Sequence, residues 1–289
     1  MKEWIRAIRV HQWSKNFLLF AALIFAKKLD DLPLTLQAVL AFFSFCLLSS
    51  AVYLFNDVID ADKDRLHPKK QNRPIASGRI SKKTALFAAV VLVAASVTGV
   101  VYLDNSSVFA LILTCYLLLN ISYTFILKKT VVADVIVIAV GFLLRVQAGG
   151  AAIDVRISHW LILCTFFTAT FLACCKRRSE LALAEGTPEA REVLAHYSFQ
   201  MLDVLVAITA SSSIMTYALY SVAAETQKYF GSADLIYTIP VVLFGLGRYT
   251  YLVYERKDGE DPAAVILKDP GIIAAVLIWL GIALYVVYG

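Results

Sequence analysis

Nine stretches of this chain are apolar and close to bilayer length, and charged segments separate them. Such runs leave few folds open. In hydrocarbon every backbone N–H and C=O must be satisfied internally, so runs of ~20 apolar residues become helices. The expected spans are 14–29, 36–55, 82–103, 107–127, 131–152, 159–175, 204–223, 234–254 and 270–288. Composition agrees: 60% of the 289 residues are hydrophobic and 17% charged, unlike a soluble domain. The expected fold is all-α, a single polytopic membrane domain over 1–289 with nine transmembrane helices.

The first span is the shortest. Its uninterrupted core, Phe17 to Ala26, falls below the ~20 residues a span usually needs. Charge argues for keeping it. With the N-terminus inside, inner segments collect Lys2, Arg6, Arg9, Lys15, the basic run from Lys63 to Lys83, Lys128 and Lys129. They also collect Lys176, Arg177, Arg178, Arg191, Arg256, Lys257 and Lys268, while outer segments keep Lys27, Lys28, Arg156 and Lys228. That asymmetry obeys the positive-inside rule; without the first span the basic N-terminus would fall on the wrong side. The expected location is the cell (inner) membrane, multi-pass, with a cytoplasmic N-terminus. No small-residue cleavage site follows the first apolar run, so a cleaved signal peptide is not expected. The net charge of +5 belongs to one membrane face, and no basic stripe on a soluble domain points to nucleic acid. The five cysteines lie in apolar segments without metal-ligand spacing and read as small packing residues. Oligomeric state is left open, a homo-oligomer included.

Directly after the run Leu36–Phe55 comes Asn56-Asp57-x-x-Asp60-x-x-x-Asp64, then a basic stretch through Lys69, Lys70 and Arg73. If the helix continues past Phe55, the three aspartates fall at i, i+3 and i+7, on one face. Three acids so placed repel one another unless something positive sits among them. A hard divalent cation with oxygen ligands answers this, and Mg²⁺ typically shares such carboxylates with substrate phosphates. Lys69, Lys70 and Arg73 then suit the phosphate oxygens the metal leaves. The plain alternative is a solvated juxtamembrane loop. The shared face, the adjoining membrane and the spaced Pro68 and Pro74 favour the site.

A second cluster, Lys176-Arg177-Arg178-Ser179-Glu180, ends the sixth span. Alone it satisfies topology, with Lys176 and Glu180 placed to pair at i, i+4. Beside the acidic cluster it reads as a cationic partner for a phosphorylated substrate. Trp13, Lys15 and Asn16 stand at the start of the first span, where Trp13 suits an interfacial anchor and Lys15 a snorkelling cation, with a binding role for the stretch as the alternative. Asp134 and Arg145 lie eleven residues apart in the fifth span, nearly on one face. An arginine at that depth faces a polar partner or cavity, so the pair reads as a structural network or as cavity lining. Gly141, Gly149 and Gly150 suit close helix packing in that span. Tyr123 and Lys128 end the fourth span, facing the cytoplasmic side.

Asn56-Asp57-x-x-Asp60-x-x-x-Asp64 followed by Arg73-Pro74 closely resembles the first aspartate-rich motif of the UbiA superfamily of intramembrane prenyltransferases, and the resemblance covers essentially the whole chain. It implies a UbiA-like bundle of nine helices and Mg²⁺ at Asn56, Asp57, Asp60 and Asp64. The sequence departs from the superfamily at its second motif, where Lys176–Glu180 offers three bases and one acid. With Gln12-Trp13-x-Lys15-Asn16, His67-Pro68-x-Lys70-x-x-Arg73-Pro74 and Asp258-Gly259-Glu260-Asp261-Pro262, this resembles the branch that moves phosphoribosyl to polyprenyl phosphate. The expected reaction is Mg²⁺-dependent transfer from phosphoribosyl pyrophosphate to a decaprenyl-like phosphate, with release of pyrophosphate. The resemblance implies Asp57, Asp60, Asp64, Lys176 and Glu180 as catalytic. It implies Lys15, Asn16, Arg65, Lys69, Lys70, Arg73, Tyr123, Lys128, Arg145 and Arg177 as substrate-binding. Competing readings are a prenyltransferase acting on an aromatic acceptor and a secondary transporter using Asp134 and Arg145.

Overall fold

The computed structural model describes residues 2–66, 70–103, 105–184, 192–256 and 262–289. All regular structure there is helical. The α-helices are α1 (Lys2–Ala7), α2 (Phe20–Phe25), α3 (Leu32–Leu66), α4 (Lys82–Thr98), α5 (Ser106–Phe125), α6 (Ala133–Ala152) and α7 (His159–Ala184). They continue with α8 (Phe199–Val222), α9 (Ala224–Phe230), α10 (Ile239–Glu255), α11 (Pro262–Lys268) and α12 (Pro270–Tyr288). Short 3-10 segments join several of them.

Helix starts follow local chemistry. The Ser81 hydroxyl accepts from the Thr84 N–H at 3.1 Å, and the Ser198 hydroxyl from the Met201 N–H at 3.1 Å. Before α12, Asp269 accepts from the Ile272 N–H at 3.0 Å and Pro270 takes the first turn, where a missing N–H costs nothing. Gly231, at φ 77°, ends α9 in a left-handed conformation.

Eight of these elements, some with adjoining 3-10 turns, are long and apolar enough to cross a membrane. They match the expected spans from 36–55 onward. The expected first span, 14–29, is built differently. Val10–Leu19 is a 3-10 helix and only Phe20–Phe25 is α-helical, so the count of nine is not reached by helix length and composition. The 3-10 form is narrower and rises further, ~2.0 Å against ~1.5 Å per residue. The two pieces together have a contour of about 29 Å, close to the ~30 Å hydrocarbon thickness.

Contacts group into two compact units, one of residues 1–128 with 144–157 and the other of 129–143 with 158–289. The first is cored by Leu19, Leu23, Phe45, Leu48, Phe109 and Tyr116, with a smaller cluster around Leu54, Ile75 and Ala85. Here a Cβ on Gly149 would lie 2.0 Å from the Leu19 carbonyl oxygen, so only glycine admits this approach. The second is cored by Val135, Phe171, Cys174, Val206, Tyr249 and Leu252. Large apolar side chains stay exposed along the helices, among them Phe87, Val90, Leu111 and Leu277. Hydrocarbon surroundings make that exposure favourable. Every cysteine is free, Cys46, Cys174 and Cys175 being buried in the packing.

Candidate active site

The α3 helix does run past Phe55, to Leu66, and this turns the aspartate spacing into geometry. Asp57 and Asp64 point inward, 4% and 5% exposed. Arg73, from the loop after the helix, reaches both with one nitrogen, 3.2 Å from Asp57 Oδ1 and 2.6 Å from Asp64 Oδ2. Arg9 donates to the same Asp57 oxygen at 2.5 Å while its guanidinium lies 4.8 Å over the Tyr53 ring. Asp60, less buried, takes Lys128 Nζ at 2.9 Å. The Asn56 side-chain oxygen accepts from the Thr124 hydroxyl at 2.5 Å. Every acid of the motif thus meets a cation from outside α3, as like charges on one face require. Among the described residues no three acids, histidines or cysteines stand together as a metal group. The donor set itself, three carboxylates and an amide oxygen, is of the hard kind Mg²⁺ takes.

The second unit contains the other cluster. Arg177 is 1% exposed; its Nε donates to Asp134 Oδ2 at 2.6 Å and its Nη1 to Glu180 Oε2. Asp134 also accepts from the Tyr197 hydroxyl at 2.7 Å, and that hydroxyl accepts from the Val132 N–H at 2.7 Å. Burial first, then the bond to Asp134, raises the Tyr197 phenol well above its ordinary range, so it donates throughout neutral pH. Arg178 is engaged by Asp203 at 2.6 Å and lies 3.5 Å over the Tyr254 ring. Lys176 is half-buried. Removing the Arg177 head would strand the buried Asp134 charge, a loss typically of ~3–5 kcal/mol. Arg177 is thus held in a buried network with Asp134 and Glu180.

Arg145 and Asp134 do not meet. Eleven residues of helix separate them by about 16 Å of rise, and each has found other partners. Arg145 donates to Asn16 Oδ1 at 2.8 Å and to the Tyr116 hydroxyl at 2.9 Å, with the Phe45 and Tyr116 rings 5.3 and 4.9 Å from its guanidinium. Asn16 is fully buried and donates onward to Cys46 Sγ and Ser49 Oγ. Arg145 and Asn16 thus share one buried polar network. Arg65 faces outward, tying the end of α3 to the Ala76 carbonyl at 2.9 Å and to Asp62 at 3.3 Å. Lys15, Lys70 and Tyr123 are half-buried. Lys69, like the stretch 258–261, lies outside the described residues.

Arg9, Thr124 and Tyr197 were not singled out as site residues from sequence. A basic residue ahead of a span is what topology demands in any case, which hides Arg9. Nothing in the order of residues places Thr124 beside Asn56, or Tyr197 beside Asp134.

An all-helical, multi-pass membrane protein with an aspartate-rich helix end balanced by cations defines a narrow class. A model of the UbiA prenyltransferase family matches residues 17–268, and the chain belongs to that family. It is 35% identical over 281 residues to the decaprenyl-phosphate phosphoribosyltransferase of Mycobacterium tuberculosis, covering 96% of this chain and 91% of that one. It is 32% identical over 289 residues to the protein of the same name from Corynebacterium glutamicum, covering 98% and 86%. Among solved structures, a UbiA homolog from Archaeoglobus fulgidus bound to GPP and Mg²⁺ matches with a TM-score of 0.73 at 20% identity, covering 99% of this chain and 100% of that one. That likeness speaks to the fold.

Proposed function

We propose that this protein transfers the 5-phosphoribosyl group from phosphoribosyl pyrophosphate to a polyprenyl phosphate, releasing pyrophosphate at the cytoplasmic face of the cell membrane. Near-full-length similarity to decaprenyl-phosphate phosphoribosyltransferases supports the reading. The structural observation that carries it is the end of α7. The one acid between Lys176 and Glu180 is already paired with Arg177, where a second metal clamp would need a set of carboxylates. The basic cluster there, with Lys176 as the base offered to substrate, suits a substrate with more phosphate than a prenyl pyrophosphate brings.

A lipid phosphate oxygen attacks ribose C1 as the C1–O bond to pyrophosphate breaks, with oxocarbenium character. The attacking phosphate is already an anion at neutral pH and needs no dedicated base. Asn56, Asp57, Asp60 and Asp64 would hold Mg²⁺, which when bound offsets the charge of the departing pyrophosphate. Arg73, Lys128, Lys70 and Lys15 supply positive charge to phosphate oxygens, with Tyr123 as a neutral donor. Lys176 receives the donor's phosphate, and Glu180 a ribose hydroxyl. The reading takes 1–289 as one functional domain.

Asp60→Asn tests it, because Asp60 is only partly buried and its loss should leave the fold intact. Turnover should fall on the order of a hundredfold, as for other losses of a transition-state electrostatic group. Asp64→Asn should behave alike once thermal unfolding confirms a folded protein. Near-normal turnover of either variant at limiting Mg²⁺ contradicts the metal assignment.

A further inference from the structure

We propose that Tyr197 is a positioning residue that fixes Glu180 through Asp134 and Arg177; the proposal rests on the phosphoribosyl-transfer reading and deepens it. Five groups of the second unit stand in line. The Val132 N–H donates to the Tyr197 hydroxyl, which donates to one Asp134 oxygen, and the other Asp134 oxygen accepts from Arg177 Nε. Arg177 Nη1 then donates to Glu180. The middle three are sequestered: Asp134 is 0%, Arg177 1% and Tyr197 6% exposed. Glu180, at the far end, opens outward, its side chain 18% exposed. A buried chain of hydrogen bonds in low dielectric polarises and stiffens its members, and this one delivers that stiffness to the acid at the open end.

Val132 gives an independent reason to look at Tyr197. It is β-branched yet sits at φ 68°, in the left-handed region, which such residues avoid. Its N–H is the one that Tyr197 accepts. The phenol therefore holds a strained turn at the head of α6 and orders the Asp134 carboxylate two residues on. A chain that needed only packing there would require neither the hydroxyl nor the strained turn. Strain of this kind, kept in place by its surroundings, clusters at functional sites.

The test uses the full-length protein with Tyr197→Phe, Glu180→Gln and both together, with phosphoribosyl pyrophosphate and polyprenyl phosphate varied separately. Tyr197→Phe is expected to lower kcat/KM for the donor about three- to tenfold and leave KM for the polyprenyl phosphate unchanged. In the Glu180→Gln background it should cost nothing further, since residues acting as one unit are not additive. The same factor lost in both backgrounds, or no loss in either, overturns the positioning role. If Tyr197→Phe folds poorly, Val132→Gly added to it relieves the left-handed turn, and the same coupling to Glu180 is expected. A wild-type protein that moves no phosphoribosyl group overturns the reaction reading as well, so the two failures are told apart.

Discussion

Asp57, Asp60 and Asp64 share a helix face, yet no two of them share the same set of partners. Arg9 and Arg73 meet Asp57, Arg73 alone of these meets Asp64, and Lys128 meets Asp60. The spacing made the shared face legible, because a helix repeats every 3.6 residues whatever surrounds it. The partners were not legible, since they come from three different segments. The same limit explains Asp134 and Arg145, which helical spacing alone put on one face and tertiary structure sent to separate networks. It also separates the bases at the end of α7. Arg177 and Arg178 are engaged by Asp134 and Asp203, and half-buried Lys176 is the cation to test for substrate. Lys176→Ala should raise KM for phosphoribosyl pyrophosphate about tenfold, the effect of ~1.4 kcal/mol, and leave KM for polyprenyl phosphate nearly unchanged. Steady-state kinetics on the membrane-inserted variant decide it, and an unchanged donor constant returns Lys176 to a topological role.

At the scale of elements, periodicity and length placed the eight long helices to within a few residues at most ends. The exceptions are physical. The α3 and α7 helices run well beyond their apolar cores, because a helix leaving the membrane keeps its backbone bonds while its side chains turn polar. Val10–Leu19, before α2, winds as 3-10 helix, a form that leaves no clear mark in hydropathy. Gly149 shows what holds that segment in place. Alanine ordinarily gains helix propensity over glycine by ~1 kcal/mol, but here its methyl would meet a backbone oxygen that cannot rotate away. Gly149→Ala should therefore destabilise the protein by ~1–3 kcal/mol, as overpacking does. Thermal unfolding of the purified variant in detergent measures it; equal or greater stability would mean that Leu19 does not lie against α6.

For the whole molecule, the charge asymmetry that proposes a cytoplasmic N-terminus needs the short first segment to cross. Ser77 is exposed on the loop after α3, so Ser77→Cys, on a background without native cysteines, reports the side of that loop. In intact cells it should resist an impermeant thiol reagent and label only after permeabilisation; ready labelling from outside would invert the topology. The central claim, the identity of the transferred group, is tested most directly by offering the purified protein two labelled pairs. One is phosphoribosyl pyrophosphate labelled in the ribose with polyprenyl phosphate, the other a labelled prenyl pyrophosphate with aromatic acceptors. Label should enter the lipid phosphate from the first pair, with Mg²⁺ present, and enter no product from the second. Transfer from the second pair alone would contradict the account.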